Sequence, residues 1–211
     1  MYTLYYAPGL ANMAPHIMLE EIGAKYELHR IDTAAGEHKE AAYLKLNPVG
    51  LIPVLVDGDL VISETAAICL HLADRHPEAN LAPPVGSDAR ARFYRWLCYF
   101  TNTVQVGVLM FYYAGRYTED PAGADAVKAS ADRRLRDMFT LIDGELAGRQ
   151  YFLDDAFGVL DTYLFTLCRF ARPISVPPRE MTNLGPYLEN LIRRPSVARM
   201  LEQEGLQAPY V

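Results

Sequence analysis

The residues best suited to binding chemistry fall in one stretch, residues 47–68, which reads NPVGLIPVLVDGDLVISETAAI. Pro53 interrupts an apolar strand in this stretch. Because proline cannot donate to a sheet ladder, we expect it at an edge or at a special backbone site. If the Ile52–Pro53 bond is cis, the backbone of Ile52 turns outward and can pair with an extended peptide. The stretch therefore predicts a peptide-binding edge.

The sequence Ser63-Glu64-Thr65 predicts a helix start beside that edge. Free N–H groups at a helix N-terminus and the Thr65 hydroxyl can bind a carboxylate, while Glu64 can balance an ammonium group. An ordinary helix start has the same composition, with Ser63 as N-cap and an acid in the first turn. Taken with Pro53, the pattern predicts a pocket for a short anionic peptide.

The composition excludes several classes of function. Of the 211 residues 51% are apolar and 22% are charged, and the net charge of −6 argues against a nucleic-acid surface. The longest apolar run, residues 104–114, is too short to cross a bilayer. Three cysteines are widely spaced without a CxxC motif, so neither a disulfide framework nor a zinc site is predicted, and no metal is expected. We expect a protein of the reducing cytoplasm that binds neither nucleic acid nor membrane.

The elements that must position the binding stretch alternate between strand and helix over the first part of the chain. Strands are predicted at residues 2–6, 26–31, 52–56 and 60–62 and helices at 14–22, 41–46 and 64–75. The Asp57-Gly58 pair is typical of a hairpin turn between the last two strands. The order βαβ followed by ββα predicts a mixed sheet with helices on its faces.

The rest of the chain has helical periodicity. Helices are predicted at residues 88–113, 124–146, 158–172, 184–193 and 196–204. A segment rich in turn residues, HPEANLAPPVG, separates the two parts and reads as a linker. The predicted class is α/β plus all-α: a thioredoxin-like βαβαββα domain over residues 1–77, a linker over 78–87 and an all-helical domain over 88–211.

The segment LNPVGLIPVLVDGDLVISETAAICLHLADRHP resembles the glutathione-binding half of cytosolic glutathione S-transferases. The first strand and helix, LYYAPGLANMAPHIMLEEIG, and the C-terminal RRPSVARMLEQEGL are similar to the bacterial members, of beta-like or nu-like type. The resemblance implies a cytoplasmic homodimer that is a detoxification enzyme or a binding protein for glutathione. Its co-substrate would be glutathione, and its second substrate a small hydrophobic electrophile or a disulfide.

The resemblance also implies roles for residues of the binding stretch. Pro53 would be cis, Ile52 would pair through its backbone with the cysteinyl part of glutathione, and Glu64 and Thr65 would hold the γ-glutamyl end. His38 and Lys39 lie in the loop where family members place a basic group for the glycine carboxylate. A solvated lysine in a polar loop is the alternative interpretation of Lys39.

The loop after the first strand departs from the bacterial pattern, because Ala11 stands at the usual cysteine position. The serine position of other classes falls near Leu10. The remaining side chains that could favour the glutathione thiolate are Asn12 and Tyr6. Asn12 could instead cap the following helix, and Tyr6 could instead pack in the core. Backbone N–H groups of the loop are a third source of stabilisation.

The second domain departs as well, because Gln105 and Val106 stand where a His-Lys pair is usual. Gln105, Tyr99 and Tyr112 are candidate walls of an acceptor pocket, although residues at helical spacing usually belong to a core. Three functions follow. The first is a glutathione transferase that adds the thiolate to a hydrophobic electrophile. The second is a glutathione-dependent disulfide reductase or peroxidase that uses no protein cysteine. The third is a non-catalytic glutathione-binding protein.

Overall fold

A computed structural model describes residues 1–153 and 156–211 of the chain. The described residues form two compact units, one of Met1–Ala82 with Ile192–Tyr210, and one of Pro83–Leu191 with Val211. The predicted domain boundaries, residues 1–77, 78–87 and 88–211, stay a prediction. In the division by contacts, residues 192–210 group with the first unit, although the prediction placed them in the helical domain.

The first unit contains four strands and four helices. They are β1 Tyr2–Tyr6, α1 Met13–Ile22, β2 Tyr26–Arg30, α2 Ala41–Leu44, β3 Val54–Asp57, β4 Leu60–Ser63, α3 Thr65–Arg75 and α9 Pro195–Gln203. Short 3₁₀ turns occur at Glu37–Lys39 and Pro77–Ala79. The predicted strands and helices are all present, with ends shifted by up to two residues.

The four strands form one mixed sheet in the order β2-β1-β3-β4. β1 runs parallel to β2 and antiparallel to β3, and β3 pairs with β4 through the predicted hairpin. Side chains at Tyr2, Leu4 and Tyr6 are buried while those between them are less so, as strand alternation requires. The predicted mixed sheet is thereby confirmed.

α9 belongs to the first unit because it packs along α1. Glu21 on α1 accepts bonds from the guanidinium of Arg194 and from the Ser196 hydroxyl, the latter at 2.7 Å. Glu20 pairs in the same way with Arg199. These contacts keep the pKa of both glutamates below its usual value, although partial burial raises it, because hydrogen bonds to the arginines stabilise the carboxylates.

The second unit is helical, as predicted. Its helices are α4 Asp88–Tyr99, α5 Gln105–Tyr112, α6 Ala124–Glu145, α7 Val159–Phe170 and α8 Leu184–Ile192, which ends at the unit boundary. Short 3₁₀ turns lie at Ala114–Tyr117, Pro121–Gly123 and Pro178–Glu180. A π-helical segment, Phe100–Val104, joins α4 to α5, so the predicted single helix over 88–113 is continuous but changes its hydrogen-bond pattern in the middle.

Asp161 on α7 is the main polar group in the core of the second unit. It is 1% exposed and accepts bonds from the backbone N–H groups of Phe152 and Gly158, each at 2.8 Å, and from the Tyr187 hydroxyl at 2.7 Å. Burial raises the pKa of Asp161 to about 6, although all three bonds lower it. The carboxylate therefore ties the start of α7 to the preceding segment and to α8.

None of the helices in the described part of the chain is long and apolar enough to cross a bilayer. Among those same residues, no cluster of three or more His, Cys, Asp or Glu side chains has a geometry that could hold a metal ion.

Candidate functional site

The strand register brings three segments of the first unit to one end of the sheet. Val54 pairs with Tyr5 on one side and with Ser63 on the other. The loop after β1, the residues just before β3 and the residues just after β4 therefore meet at that end. Residues 7–12, which we call the site loop, lie there beside Ile52-Pro53 and Glu64-Thr65.

Ile52 presents a free backbone edge at this end of the sheet. The Ile52–Pro53 bond is cis, as the resemblance implied. Within the described residues, neither the N–H nor the C=O of Ile52 has a hydrogen-bond partner. The preceding carbonyl of Leu51 accepts bonds from the Tyr43 hydroxyl and the Asn47 amide, both at 2.8 Å, so the approach to the edge is anchored from two sides.

Glu64 and Thr65 stand at the start of α3. Glu64 is exposed and has φ 70° and ψ 113°, a conformation that non-glycine residues adopt rarely and mostly at functional sites. Thr65 is buried, and its hydroxyl donates to the carbonyl of Ala11 at 3.3 Å. The expected N-cap role of Ser63 is wrong, because Glu64 occupies the N-cap position and no described side chain caps the helix. Its first N–H groups remain open to a ligand.

Lys39 and His38 lie beside the loop that leads to Ile52. The Lys39 ammonium group donates to the carbonyls of Gly50 at 2.7 Å and Val49 at 3.3 Å. The buried Nδ1 of His38 has no hydrogen-bond partner among the described residues. Neither observation tests the predicted role of these two residues in binding a carboxylate, which stays a prediction, but an unpaired buried nitrogen is a place where a ligand atom could bond.

The side chain of Asn12 is used inside the protein. The residue is 0% exposed, its amide oxygen accepts from the N–H of Ala7 at 3.1 Å, and its amide nitrogen donates to Glu204 at 2.8 Å. Asn12 is the N-cap residue of α1, as the alternative interpretation had it, but its side chain makes no cap bond. Tyr6 is buried in the core face of β1, where its ring contacts that of His16 edge-on. The predicted roles of Asn12 and Tyr6 in favouring the thiolate stay predictions.

Glu204, directly after α9, is a residue that the sequence reasoning missed. Its side chain is fully buried and accepts bonds at 2.8 Å from the N–H of Gly9, the Asn12 amide and Nδ1 of His16. No pattern in the sequence connects residues so far apart, and a glutamate near the end of a helix normally reads as a solvated charge. The burial of Glu204 and its three hydrogen-bond donors show that this glutamate is not solvated.

The start of α1 offers backbone donors. Gly9 has φ 73°, a left-handed conformation that glycine adopts without a steric penalty, and its N–H is taken by Glu204. Among the described residues, the N–H groups of Ala11 and Asn12 have no partner. They stand at a helix N-terminus, where the helix dipole favours a negative charge. The site loop can therefore stabilise an anion through its backbone alone.

The predicted acceptor-pocket residues lie in the second unit. The Tyr163 hydroxyl donates to Gln105, the Tyr112 hydroxyl donates to the carbonyl of Phe170 at 2.8 Å, and Tyr99 packs edge-on against Trp96. Partial burial raises the pKa of the Tyr99 and Tyr112 hydroxyls. Tyr112 is nevertheless exposed, which suits a pocket wall, but the acceptor role of all three residues stays a prediction.

The three cysteines differ in exposure. Cys69 and Cys168 are buried, and burial raises the pKa of the Cys168 thiol well above its usual value. Cys98 is exposed on α4. None of them belongs to the site loop, so that loop supplies no thiol of its own.

Comparison with known proteins identifies the fold and its family. The family model described as "Glutathione S-transferase, N-terminal domain" matches residues 1–74. A glutathione S-transferase of Xanthomonas campestris is 28% identical over 203 residues, which cover 96% of this chain and 98% of that protein.

Solved structures of similar proteins superpose on this chain over nearly its whole length. A glutathione S-transferase from Xylella fastidiosa superposes with a TM-score of 0.89 at 27% identity, covering 98% of this chain and 100% of the other. A sphingomonad glutathione S-transferase complexed with glutathione has a TM-score of 0.83 at 32% identity, covering 97% and 100%. The two-part architecture is therefore that of bacterial glutathione S-transferases, and the chain belongs to the glutathione S-transferase family.

Proposed function

We propose that the chain binds glutathione at the free backbone edge of Ile52 and adds its thiolate to a hydrophobic electrophile. The observation that carries the proposal is the unpaired edge at Ile52 beside the uncapped start of α3. Glutathione is an extended peptide with a carboxylate at each end, and its γ-glutamyl end also carries an ammonium group. Main-chain pairing plus an acid and a helix N-terminus match those features. The sphingomonad relative is described in complex with glutathione.

In this proposal Glu64 balances the ammonium group, while the N–H groups at the start of α3 bind the neighbouring carboxylate. Thr65 assists from the position where its hydroxyl now bonds Ala11. At the other end of the peptide, His38 and Lys39 are the candidates for the glycine carboxylate. Lys39 can keep its bond to Gly50 and still donate, because an ammonium group has three protons.

The thiolate is stabilised by the site loop. A free thiol has a pKa of about 8.5, and each unit by which the pKa falls corresponds to about 1.36 kcal/mol. The N–H groups of Ala11 and Asn12 and the dipole of α1 supply this stabilisation without a side chain. The thiol proton leaves to solvent, the sulfur forms a bond to the electrophilic carbon, and the leaving group departs with the electron pair of the broken bond.

A direct test is the affinity for glutathione by calorimetry. Glu64→Ala removes the group proposed for the ammonium and is expected to weaken binding about tenfold or more, since charge-assisted hydrogen bonds contribute about 1.5–3 kcal/mol. Glu27→Ala is the matched control, because Glu27 is an exposed acid on β2, at the opposite edge of the sheet from β4. Equal affinity of wild type and Glu64→Ala would contradict the binding mode.

A second candidate reaction is the reduction of a glutathione mixed disulfide without a protein cysteine, or a related peroxidase reaction. The observation that favours it is the absence of cysteine from the site loop. Turnover that survives replacement of Cys69, Cys98 and Cys168 would support this reaction. Conjugation of an aryl halide without such turnover would reject it. No activity on a panel of electrophiles at saturating glutathione would leave only the binding function.

A cytoplasmic homodimer is part of the proposal, as the resemblance implies. β4 is an edge strand on which Leu60 and Val61 are 44% and 42% exposed. An apolar edge of this kind is stabilised when a partner covers it. Sedimentation of the wild type as a dimer and of Val61→Asp as a monomer would support this, while a monomeric wild type would contradict it.

A further inference from the structure

We infer that Glu204 is a positioning residue for the reaction: its carboxylate holds the site loop so that the N–H groups of Ala11 and Asn12 stay directed to the glutathione sulfur. The inference rests on the proposed function and adds to it a residue outside the glutathione contacts. It follows from the placement of a fully buried carboxylate directly behind the loop that lacks a catalytic side chain.

The position of Glu204 is unfavourable by itself. A buried carboxylate loses its hydration, and the C-terminal end of a helix carries partial negative charge, so an acid directly after α9 is disfavoured twice. The fold compensates with three donors at 2.8 Å: the Gly9 N–H, the Asn12 amide and Nδ1 of His16. Two of these three donors belong to the site loop.

His16 bonds the carboxylate from the body of α1. Its Nδ1 faces Glu204, and its Nε2 lies 2.9 Å from the Gln203 oxygen and 3.2 Å from the Tyr26 hydroxyl. Glu204 therefore connects the site loop, through Gly9 and Asn12, to the α1 residue His16. We infer that it acts on the loop through the position of its oxygens.

The two Glu204 oxygens bind different donors. Oε2 accepts from Gly9, while Oε1 accepts from both Asn12 and His16. The Asn12 amide links Glu204 to the start of the loop, because its oxygen accepts a hydrogen bond from the backbone N–H of Ala7. Both ends of residues 7–12 are thus held by one carboxylate. A glutamine cannot make the same bonds as Glu204. Its NH₂ group donates, so it would face another donor at one of the two positions where Glu204 accepts.

The test compares Glu204→Gln with Glu202→Gln, a matched control on the exposed face of α9. Calorimetry with S-methylglutathione reports peptide binding without a free thiol. The ultraviolet absorbance of the thiolate reports the pKa of bound glutathione, and kcat/KM with an aryl halide reports turnover. In Glu204→Gln we expect a thiol pKa about one unit higher, kcat/KM about tenfold lower and S-methylglutathione affinity within about twofold. Glu202→Gln should match the wild type.

An unchanged thiol pKa in folded Glu204→Gln would overturn the inference. A lower thiol pKa would also overturn it, because it would show that the carboxylate acts through its charge. Equal changes in Glu202→Gln would do the same. If Glu204→Gln does not fold, Glu204→Asp takes its place, since its shorter side chain cannot reach Gly9 and Asn12 together; the same two criteria then decide.

Failure of the inference is distinguishable from failure of the proposed function. If the wild type binds S-methylglutathione and Glu204→Gln leaves the thiol pKa unchanged, only the positioning role is lost. If the wild type binds neither glutathione nor S-methylglutathione, both proposals are overturned.

Discussion

In the described part of the chain, each unit contains a buried carboxylate that accepts hydrogen bonds from a neighbouring loop. Asp161 in the second unit bonds Gly158, Phe152 and the Tyr187 hydroxyl, and Glu204 in the first unit bonds Gly9, Asn12 and His16. The arrangements differ in their third donor. Asp161 bonds a hydroxyl, whereas Glu204 bonds an imidazole.

This difference indicates that the two carboxylates have different roles. Asp161 accepts from two backbone N–H groups and a hydroxyl, and burial raises its pKa to about 6, so its contribution to the stability of the folded state changes with pH. Glu204 borders the site loop and bonds two of its residues. We therefore expect loss of Asp161 to lower stability and loss of Glu204 mainly to lower catalysis, and four changes can break or sharpen this comparison.

The largest effect is expected from Asp161→Ala. The substitution leaves two backbone N–H groups and the Tyr187 hydroxyl buried without an acceptor, so the free energy of unfolding should fall by about 3–5 kcal/mol. Denaturant unfolding measures this. Asp137→Ala on α6 is the control, because Asp137 is 76% exposed. A loss below about 1 kcal/mol would show that the carboxylate is not essential to the α7 start.

The pH dependence of Asp161 comes next. Its folded pKa of about 6 lies above the unfolded value of about 3.9, so the folded state holds the proton more tightly. Its contribution to stability is therefore largest at low pH and falls as pH rises from about 4 to about 6, by up to about 3 kcal/mol. The difference in unfolding free energy between wild type and Asp161→Asn, measured at several pH values, should show this slope. A flat difference would contradict the raised pKa.

Asn12→Ala tests how Glu204 acts on the site loop. If the Asn12 amide serves only to link Glu204 to Ala7, the effects of the two substitutions on kcat/KM should not be additive. We expect a coupling free energy of about 1 kcal/mol in kcat/KM for the double-mutant cycle of Asn12→Ala and Glu204→Gln. Additive effects would favour the original prediction, in which the Asn12 side chain contacts the sulfur directly.

The smallest effect is expected from Tyr187→Phe. It removes one of the bonds to Asp161 and should lower the free energy of unfolding by about 1 kcal/mol without changing kcat/KM. Chemical denaturation and steady-state kinetics on the same sample measure both. A fall in kcat/KM at unchanged stability would break the division of roles between the two carboxylates.

Much of the fold was predictable because its signals are local. Strand alternation at Tyr2–Tyr6, the hairpin at Asp57-Gly58 and the helical period after residue 88 depend on neighbours a few positions apart. The ends of elements were less predictable. Ser63 was expected to cap α3, yet β4 extends through it to pair with Val54, and sheet pairing there overrides the local capping preference.

The site was predictable in part for the same reason. Pro53, Glu64 and Thr65 form a local motif, and the register between β3 and β4 follows from the hairpin that joins them. Asn12 was not predictable, because its role depends on whether its amide meets solvent or a buried carboxylate. That carboxylate comes from the opposite end of the chain.

By itself the sequence determined the class of fold, the edge at Ile52 and the acidic helix start that suits glutathione. The tertiary structure alone decided that α9 packs on α1, that Glu204 is buried behind the site loop and that, among the described residues, the N–H groups of Ala11 and Asn12 have no partner. The physical reason is separation along the chain. Contacts between residues 9–16 and residue 204 depend on packing, which no local pattern of residue types records.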